Sequence, residues 1–409
     1  MPPPRVSAGG RPLVITDPTL LVRHANERLV LLRERKVIAA VPVADVSHIA
    51  VHGPATFTGA ALARILDAGI DVSFHSSAGR FRGVLQSTDP KNVYLLLAQV
   101  DAWNRPGRRL DFARPLVASK IAGQRSLLMR HARGSGGPKH ADAIERLASL
   151  EERAHAEEDL EVLRGFEGAA SAAYFDAFPE MLRTGFVFEK RVRRPPKDPV
   201  NALLSFGYTL AGSEVARHLA RVGFDTRIGL LHGIRYGRES LPLDLVEELR
   251  APMVDRFTLR LLNNRQLERE DFEERDDGAV RLRDDARRRY LELWEEMLSA
   301  KAPRLRNDDP GDDAGLVGAR RVDRATRAAE PAGGAPEAPP RLDEPVTWRY
   351  RIERQAHRLR RFLLKGVPFR PLQSSRKIND PGSIDPQNGS ARPPEPSQPL
   401  ESIDDDGKE

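Results

Sequence analysis

The 409-residue chain contains no cysteine. That excludes a disulfide framework, a thiolate metal site and a cysteine nucleophile, and it fits a reducing compartment. No apolar run reaches the ~18–20 residues that cross a bilayer. The N-terminal Met1-Pro2-Pro3-Pro4-Arg5 lacks the apolar core of a secretion signal. A soluble protein of the prokaryotic cytoplasm, with no membrane role, is the expectation. Also missing are a Walker-type phosphate loop, a dinucleotide fingerprint, the His-Glu-x-x-His zinc motif and a serine nucleophile elbow. The common routes to nucleotide hydrolysis, hydride transfer and acyl chemistry are therefore closed.

At about 150 residues per domain, the length suggests two or three domains. Apolar residues make up 40% of the chain, enough for real cores, beside 30% charged residues and 32 prolines. The net charge of +6 conceals an asymmetry. From Asn379 to Glu409 eight acids face two bases, a net of −6, which leaves +12 on residues 1–378. A body that basic points to a polyanion such as nucleic acid; the plainer reading is a coding bias towards arginine.

The first 88 residues read as β-rich. Leu13 to Thr16, Leu20 to Val22, Leu29 to Leu32, Lys36 to Val41 and Val46 to Val51 are short apolar runs between polar turns. A helix fits Gly59 to Asp67, stopped by Gly69. Val72 to Phe74 and Phe81 to Leu85 follow, with a turn at Ser77-Ala78-Gly79. Beyond Asn92 the apolar period becomes helical, over Val93 to Trp103, Phe112 to Arg133, Ala141 to Ala154, Leu160 to Phe178, Pro199 to Val222, Ser240 to Leu262 and Asp284 to Leu298. The expected fold is α+β, a β-sandwich-like domain (1–88) followed by a mostly α-helical domain (89–306). Residues 307–345 and 374–409 hold too few large apolar side chains to offset their ordering entropy and are expected to be disordered. Between them, 346–373 carries a helix with seven bases against Glu353; its apolar side should pack and its arginines should face phosphate.

Two segments could carry chemistry. In Glu167-Gly168-Ala169-Ala170 a carboxylate precedes very small side chains, and Glu167, Ala170 and Tyr174 share a helix face. Small residues there admit another helix or a phosphate backbone; otherwise Glu167 is a surface glutamate beside a packing face. In the second segment an apolar stretch delivers His232 into a glycine-punctuated loop carrying Arg235 and Arg238. Ser240 is expected to cap a helix on which Asp244 and Glu247 lie one turn apart, above a stripe of Leu241, Leu245 and Leu249. Carboxylates with one imidazole suit Mn²⁺ or Mg²⁺, and the arginines suit phosphates. The alternatives are a satisfied core histidine and a solvated acidic face.

Together, Glu167 to Ala170 with Tyr174-Phe175, Asp198 to Tyr208, and Leu231-His232 through Arg238 to Glu247 resemble the CRISPR-associated adaptation endonucleases, the integrases that insert new spacers into CRISPR arrays. Gly366-Val367-Pro368-Phe369-Arg370-Pro371 resembles the end of that family's chains. The resemblance implies a metal-dependent endonuclease in antiviral defence, in which a 3′-hydroxyl attacks a phosphodiester of duplex DNA. It implies an N-terminal dimerisation domain, a homodimer, and a small ferredoxin-like partner flanked by two integrase dimers. It implies Mg²⁺ or Mn²⁺ held by Glu167, His232 and Glu247. Asp244 is then an outer or alternative ligand, and Arg235, Arg238 and Asn201 are DNA or site-shaping contacts. A branched-DNA repair nuclease of the same fold and an inactive DNA-binding scaffold are the other readings. The 307–345 insertion and the acidic tail depart from the family pattern.

Overall fold

β-Branched and leucine residues at alternating positions dictate the N-terminal strands. Strands β1 (Arg11–Ile15), β2 (Leu21–Ala25), β3 (Arg28–Arg33), β4 (Lys36–Pro42), β5 (Val46–His52) and β6 (Thr56–Phe57) precede helix α1 (Gly59–Asp67), and β7 (Asp71–His75) and β8 (Phe81–Leu85) follow it. The structure is a computed structural model that describes residues 11–76, 79–85, 93–135, 138–303, 305 and 346–372. Ser77-Ala78 of the expected turn, the 307–345 insertion and the tail from 374 lie outside the described residues.

Two four-stranded sheets form, in the orders β1-β5-β7-β8 and β4-β3-β2-β6. Strands β1, β5 and β7 run parallel, whereas β2, β3 and β4 form an antiparallel meander. Ile15, Ile49, Val51 and Val72 from the first sheet meet Val22, Leu29 and Leu31 from the second, with Ala61 and Ile65 of α1 in the same core. Gly69, at φ +69°, ends α1 in the left-handed conformation expected of it.

The helical part has its own apolar core, running from Leu95 to Leu372. Its helices are α2 (Val93–Asn104), α3 (Pro106–Ser135), α4 (Pro138–Ala156), α5 (Leu160–Ala177), α6 (Pro199–Val222), α7 (Ser240–Val246), α8 (Arg256–Asn263), α9 (Asp284–Ser299) and α10 (Trp348–Lys365). A small antiparallel hairpin, β9 (Phe272–Glu274) and β10 (Val280–Leu282), was not visible in the pattern. Helix α6 shows why the elements end where they do. Asp198 accepts a bond from the Asn201 N–H, Pro199 occupies the first turn, and Gly223 closes the helix at φ +102°. The two parts touch where the Ser213 hydroxyl of α6 donates to the Gly79 carbonyl.

One expected helix is broken. Instead of running from Ser240 to Leu262, it passes from α7 through a 3₁₀ turn (Glu247–Leu249) and a π turn (Arg250–Asp255) into α8. Pro252 is the cause: it has no N–H to donate, and its ring clashes with the carbonyl four residues earlier. The irregular stretch begins at Glu247 and so governs where that carboxylate points.

Gly207 on α6 has no room for a side chain, since a Cβ would lie 2.6 Å from Val254 Cγ1 and 2.9 Å from the Tyr290 hydroxyl. Gly207→Ala should therefore destabilise the protein by about 1–3 kcal/mol in denaturant titration. Gly212→Ala on the same helix meets nothing within 4 Å and should be neutral or stabilising by up to ~1 kcal/mol.

Candidate active site

The loop that carries His232 is clamped through its backbone. The buried Asp244 carboxylate accepts the N–H groups of Leu230 (2.6 Å), Leu231 (3.0 Å) and His232 (2.8 Å). From the other side, Arg109 of α3 donates to the Leu230 carbonyl at 3.0 Å and Arg164 of α5 to that of Leu231. Gly229 lets this happen, because a Cβ there would come within 3.0 Å of Ser240 and Asp244. The clamp also orients the ring. His232 Nδ1 is 2.7 Å from Asp244 Oδ1, and a carboxylate only accepts, so Nδ1 donates and in the neutral ring the lone pair is on Nε2.

Glu247 and Glu167 converge on one cation. Lys120 of α3 touches Glu167 Oε1 on α5 and lies 2.7 Å from Glu247 Oε2. Arg250 holds the other Glu247 oxygen at 2.9 Å. Ser171, one turn along α5, donates to Glu167 Oε1 at 3.2 Å. Burial works to raise the Glu247 carboxyl, but the charges of Arg250 and Lys120 outweigh it and hold the group down at about 2. His232 lies near enough to add to that field when protonated.

Behind these groups stands a buried polar layer. Asp255 accepts bonds from the hydroxyls of Tyr208 (2.5 Å) and Tyr174 (2.9 Å). Burial raises its carboxyl to about 6, against the pull of those two bonds. The Arg250 guanidinium stacks on the Tyr208 ring, 4.5 Å from its centroid, and is thereby aimed at Glu247. Glu248, next along the turn, faces away and takes bonds from Gln355 (2.5 Å) and the Leu372 N–H (2.7 Å). Burial raises its carboxyl to about 7.

The donor set suits a divalent cation, because two carboxylates already share one positive group and an ammonium stands where an ion would. Glu247 Oε2 is buried and has the Lys120 ammonium 2.7 Å away. Among the described residues no three His, Asp or Glu side chains stand together as a finished metal shell. Glu167 and Glu247 meet at Lys120, and His232 does not enter one shell with them.

Residues 13–296 match the family model described as CRISPR associated protein Cas1. The chain belongs to the Cas1 family. It is 38% identical over 267 residues to the CRISPR-associated endonuclease Cas1 3 of Thermus thermophilus, a match covering 65% of this chain and 78% of that protein. It is 38% identical over 307 residues to a CRISPR-associated exonuclease Cas4/endonuclease Cas1 fusion of Geobacter sulfurreducens, covering 73% of this chain; it spans 55% of the fusion's length. A chain from a Cas6-RT-Cas1–Cas2 complex shares the fold, with a TM-score of 0.67 at 24% identity over 91% of this chain and 37% of that one.

In this Cas1-family chain the residues expected to be DNA or site-shaping contacts divide. Asn201 is fully buried. Its amide bonds the Lys190 carbonyl and Asp198, and its oxygen accepts from Arg191 and the Val192 N–H, which fixes the loop before α6. Arg238 is spent on the His232 loop, donating to the Gly233 carbonyl and to the Ser240 hydroxyl, while Arg235 is exposed. Ser240 does not cap α7; Glu239 precedes the helix, and the Ser240 hydroxyl donates to the Gly233 carbonyl.

Four of the seven α10 bases are taken up by the protein itself, while Arg360 and Arg361 are half-buried and Lys365 is exposed. Arg351, Arg354 and Arg358 are buried, with Arg351 stacked on Trp348 and donating to the Pro303 carbonyl. Arg349 pairs with Glu214 and Glu295. A guanidinium's five donors satisfy chain-end carbonyls as readily as phosphates. Lys120, Arg250 and the Tyr174–Asp255–Tyr208 layer went unanticipated. The signal for Lys120 was a lone cation in the largely apolar run Leu116 to Ala122.

Asp244→Asn should cost about 2–4 kcal/mol of stability in urea titration, since four donors converge on a group that would gain two of its own. Stability within about 0.5 kcal/mol of the wild type would contradict the clamp.

Proposed function

We propose that this chain is a metal-dependent DNA endonuclease and integrase of CRISPR adaptation, joining spacer DNA to the array by attack of a 3′-hydroxyl on a phosphodiester. Membership of the Cas1 family and the endonuclease names of its relatives support the reading. The observation that carries it is the convergence of Glu167 and Glu247 on one cation beside a histidine whose Nε2 is left free.

Glu167 and Glu247 would hold Mg²⁺ or Mn²⁺, with His232 Nε2 completing the set only once it draws in from its place outside their shell, and the ion would supply Lewis-acid polarisation of the phosphoryl oxygens and activation of the attacking hydroxyl. The chain's own residues do the rest. Asp244 fixes the His232 tautomer and keeps the ring on the pocket side. Arg250, braced on Tyr208, holds one Glu247 oxygen while the other meets Lys120. Arg235, exposed at the loop tip, is the side chain of this motif free to meet a DNA backbone. The +12 body would grip duplex without reading bases.

The assembly belongs to the same proposal. Strand β4 is the edge of its sheet and is exposed from Lys36 to Ala40, with Val37 and Ile38 turned to solvent. An apolar edge of that kind suits a homodimer contact. The partner would be a small ferredoxin-like protein of the Cas2 type, flanked by two dimers of this chain. No helix among the described residues is long and apolar enough to cross a membrane, in keeping with work on cytoplasmic DNA.

Glu167→Ala and His232→Ala should each lower strand transfer of a 3′-hydroxyl spacer DNA by about 100-fold or more. Duplex affinity, followed by gel shift at fixed salt, should stay within about threefold, since neither side chain belongs to the backbone grip. Substantial strand transfer by either variant would refute the site.

A further inference from the structure

Lys120 occupies a position that the metal reading does not explain. It projects from a stretch of α3 whose neighbours Leu116, Val117 and Ile121 are fully buried, and its own side chain is 3% exposed. An isolated ammonium there would be costly, and the site repels two carboxylates unless a cation separates them. Each solves the other's problem: the ammonium contacts Glu167 Oε1 and Glu247 Oε2 together.

We propose that Lys120 is a built-in competitor for the divalent ion. It holds Glu167 and Glu247 together before metal arrives, and its ammonium must withdraw for metal to bind. The inference rests on the reading of those two acids as metal ligands, since a single position between them cannot hold both cations.

Three features fit an exchange rather than a permanent ion pair. Glu247 Oε1 stays anchored on Arg250 at 2.9 Å, so only Oε2 changes partner and the carboxylate need not turn. Oε2 faces the Lys120 ammonium at 2.7 Å, so withdrawing Lys120 forfeits an attraction that a divalent ion, with twice the charge, restores. A lysine carries its charge on four flexible methylenes and can retract, where a forked arginine would be held by several bonds at once. Metal affinity in this protein would then be a difference between two cations rather than the full strength of the ligand set.

Mn²⁺ binding to the full-length protein, followed by isothermal titration calorimetry, tests this without reference to activity. Lys120→Met should bind Mn²⁺ about tenfold or more tightly than wild type, because the competing charge is gone. Wild type that binds Mn²⁺ with Lys120→Met equal or weaker overturns the inference and leaves the metal reading standing. No Mn²⁺ binding by either protein overturns both. Should the variant fail to fold, the wild type carries the test by acetic anhydride labelling and peptide mass spectrometry. Acetylation at Lys120 should rise several-fold when Mn²⁺ is added, and an unchanged level would overturn the inference.

Discussion

Two carboxylates drawn from helices far apart in the chain point into one water-poor volume, and like charges there cannot coexist without a cation between them. Much of the helical part serves that constraint. Helix α3 runs past both acids and supplies Lys120 from an otherwise apolar stretch. Ala169 and Ala170 after Glu167 keep α5 slim where it packs into the helical core, whereas Gly168 is exposed, with open space where a Cβ would lie. Pro252 breaks the regular helix, and across the tight 3₁₀ turn that precedes the π turn Arg250 pairs with the Glu247 carboxylate three residues before it. Whichever cation occupies the pocket, the protein must bring one to it.

The histidine is handled by a different device. Its loop has no regular hydrogen-bond ladder, yet Asp244, Arg109 and Arg164 leave the backbone of 230–232 little freedom. Such a clamp makes the imidazole a fixed reference while the cation between Glu167 and Glu247 can change. Pocket chemistry then depends on a rigid ring beside an exchangeable charge. The His232 side chain is the more open part of the site, about one-third exposed, whereas Glu247 and Lys120 are enclosed.

How much of this the letters announced differs from element to element. Short apolar runs were enough for the N-terminal strands except the two-residue β6 (Thr56–Phe57), and helical spacing with Asp198-Pro199 and Gly223 as punctuation marked α6 to the residue. The His232 loop and its acidic helix were legible because glycine, histidine and carboxylates of that kind cluster for few other reasons. The rest turns on contacts that no local pattern encodes. Arg351, Arg354 and Arg358 look like a phosphate-binding row, but α10 lies against the core, and nearby carbonyls and rings took the donors that phosphate was expected to take. Asn201 reads as a DNA or site-shaping contact, and only its burial shows it fastening the loop before α6. Lys120 is 47 residues before Glu167 and 127 before Glu247, so only the fold reveals that it answers both. Burying so many α10 guanidiniums also means that the basic surface offered to DNA is narrower than the net charge suggests.

The most direct test of this account is crystallographic: anomalous diffraction from a crystal of the protein grown with Mn²⁺. One ion per chain should lie between Glu167 and Glu247, about 2.0–2.6 Å from an oxygen of each, with His232 Nε2 turned towards it and the Lys120 ammonium withdrawn. An ion bound elsewhere, or Lys120 still bridging the two carboxylates at saturating Mn²⁺, would contradict it.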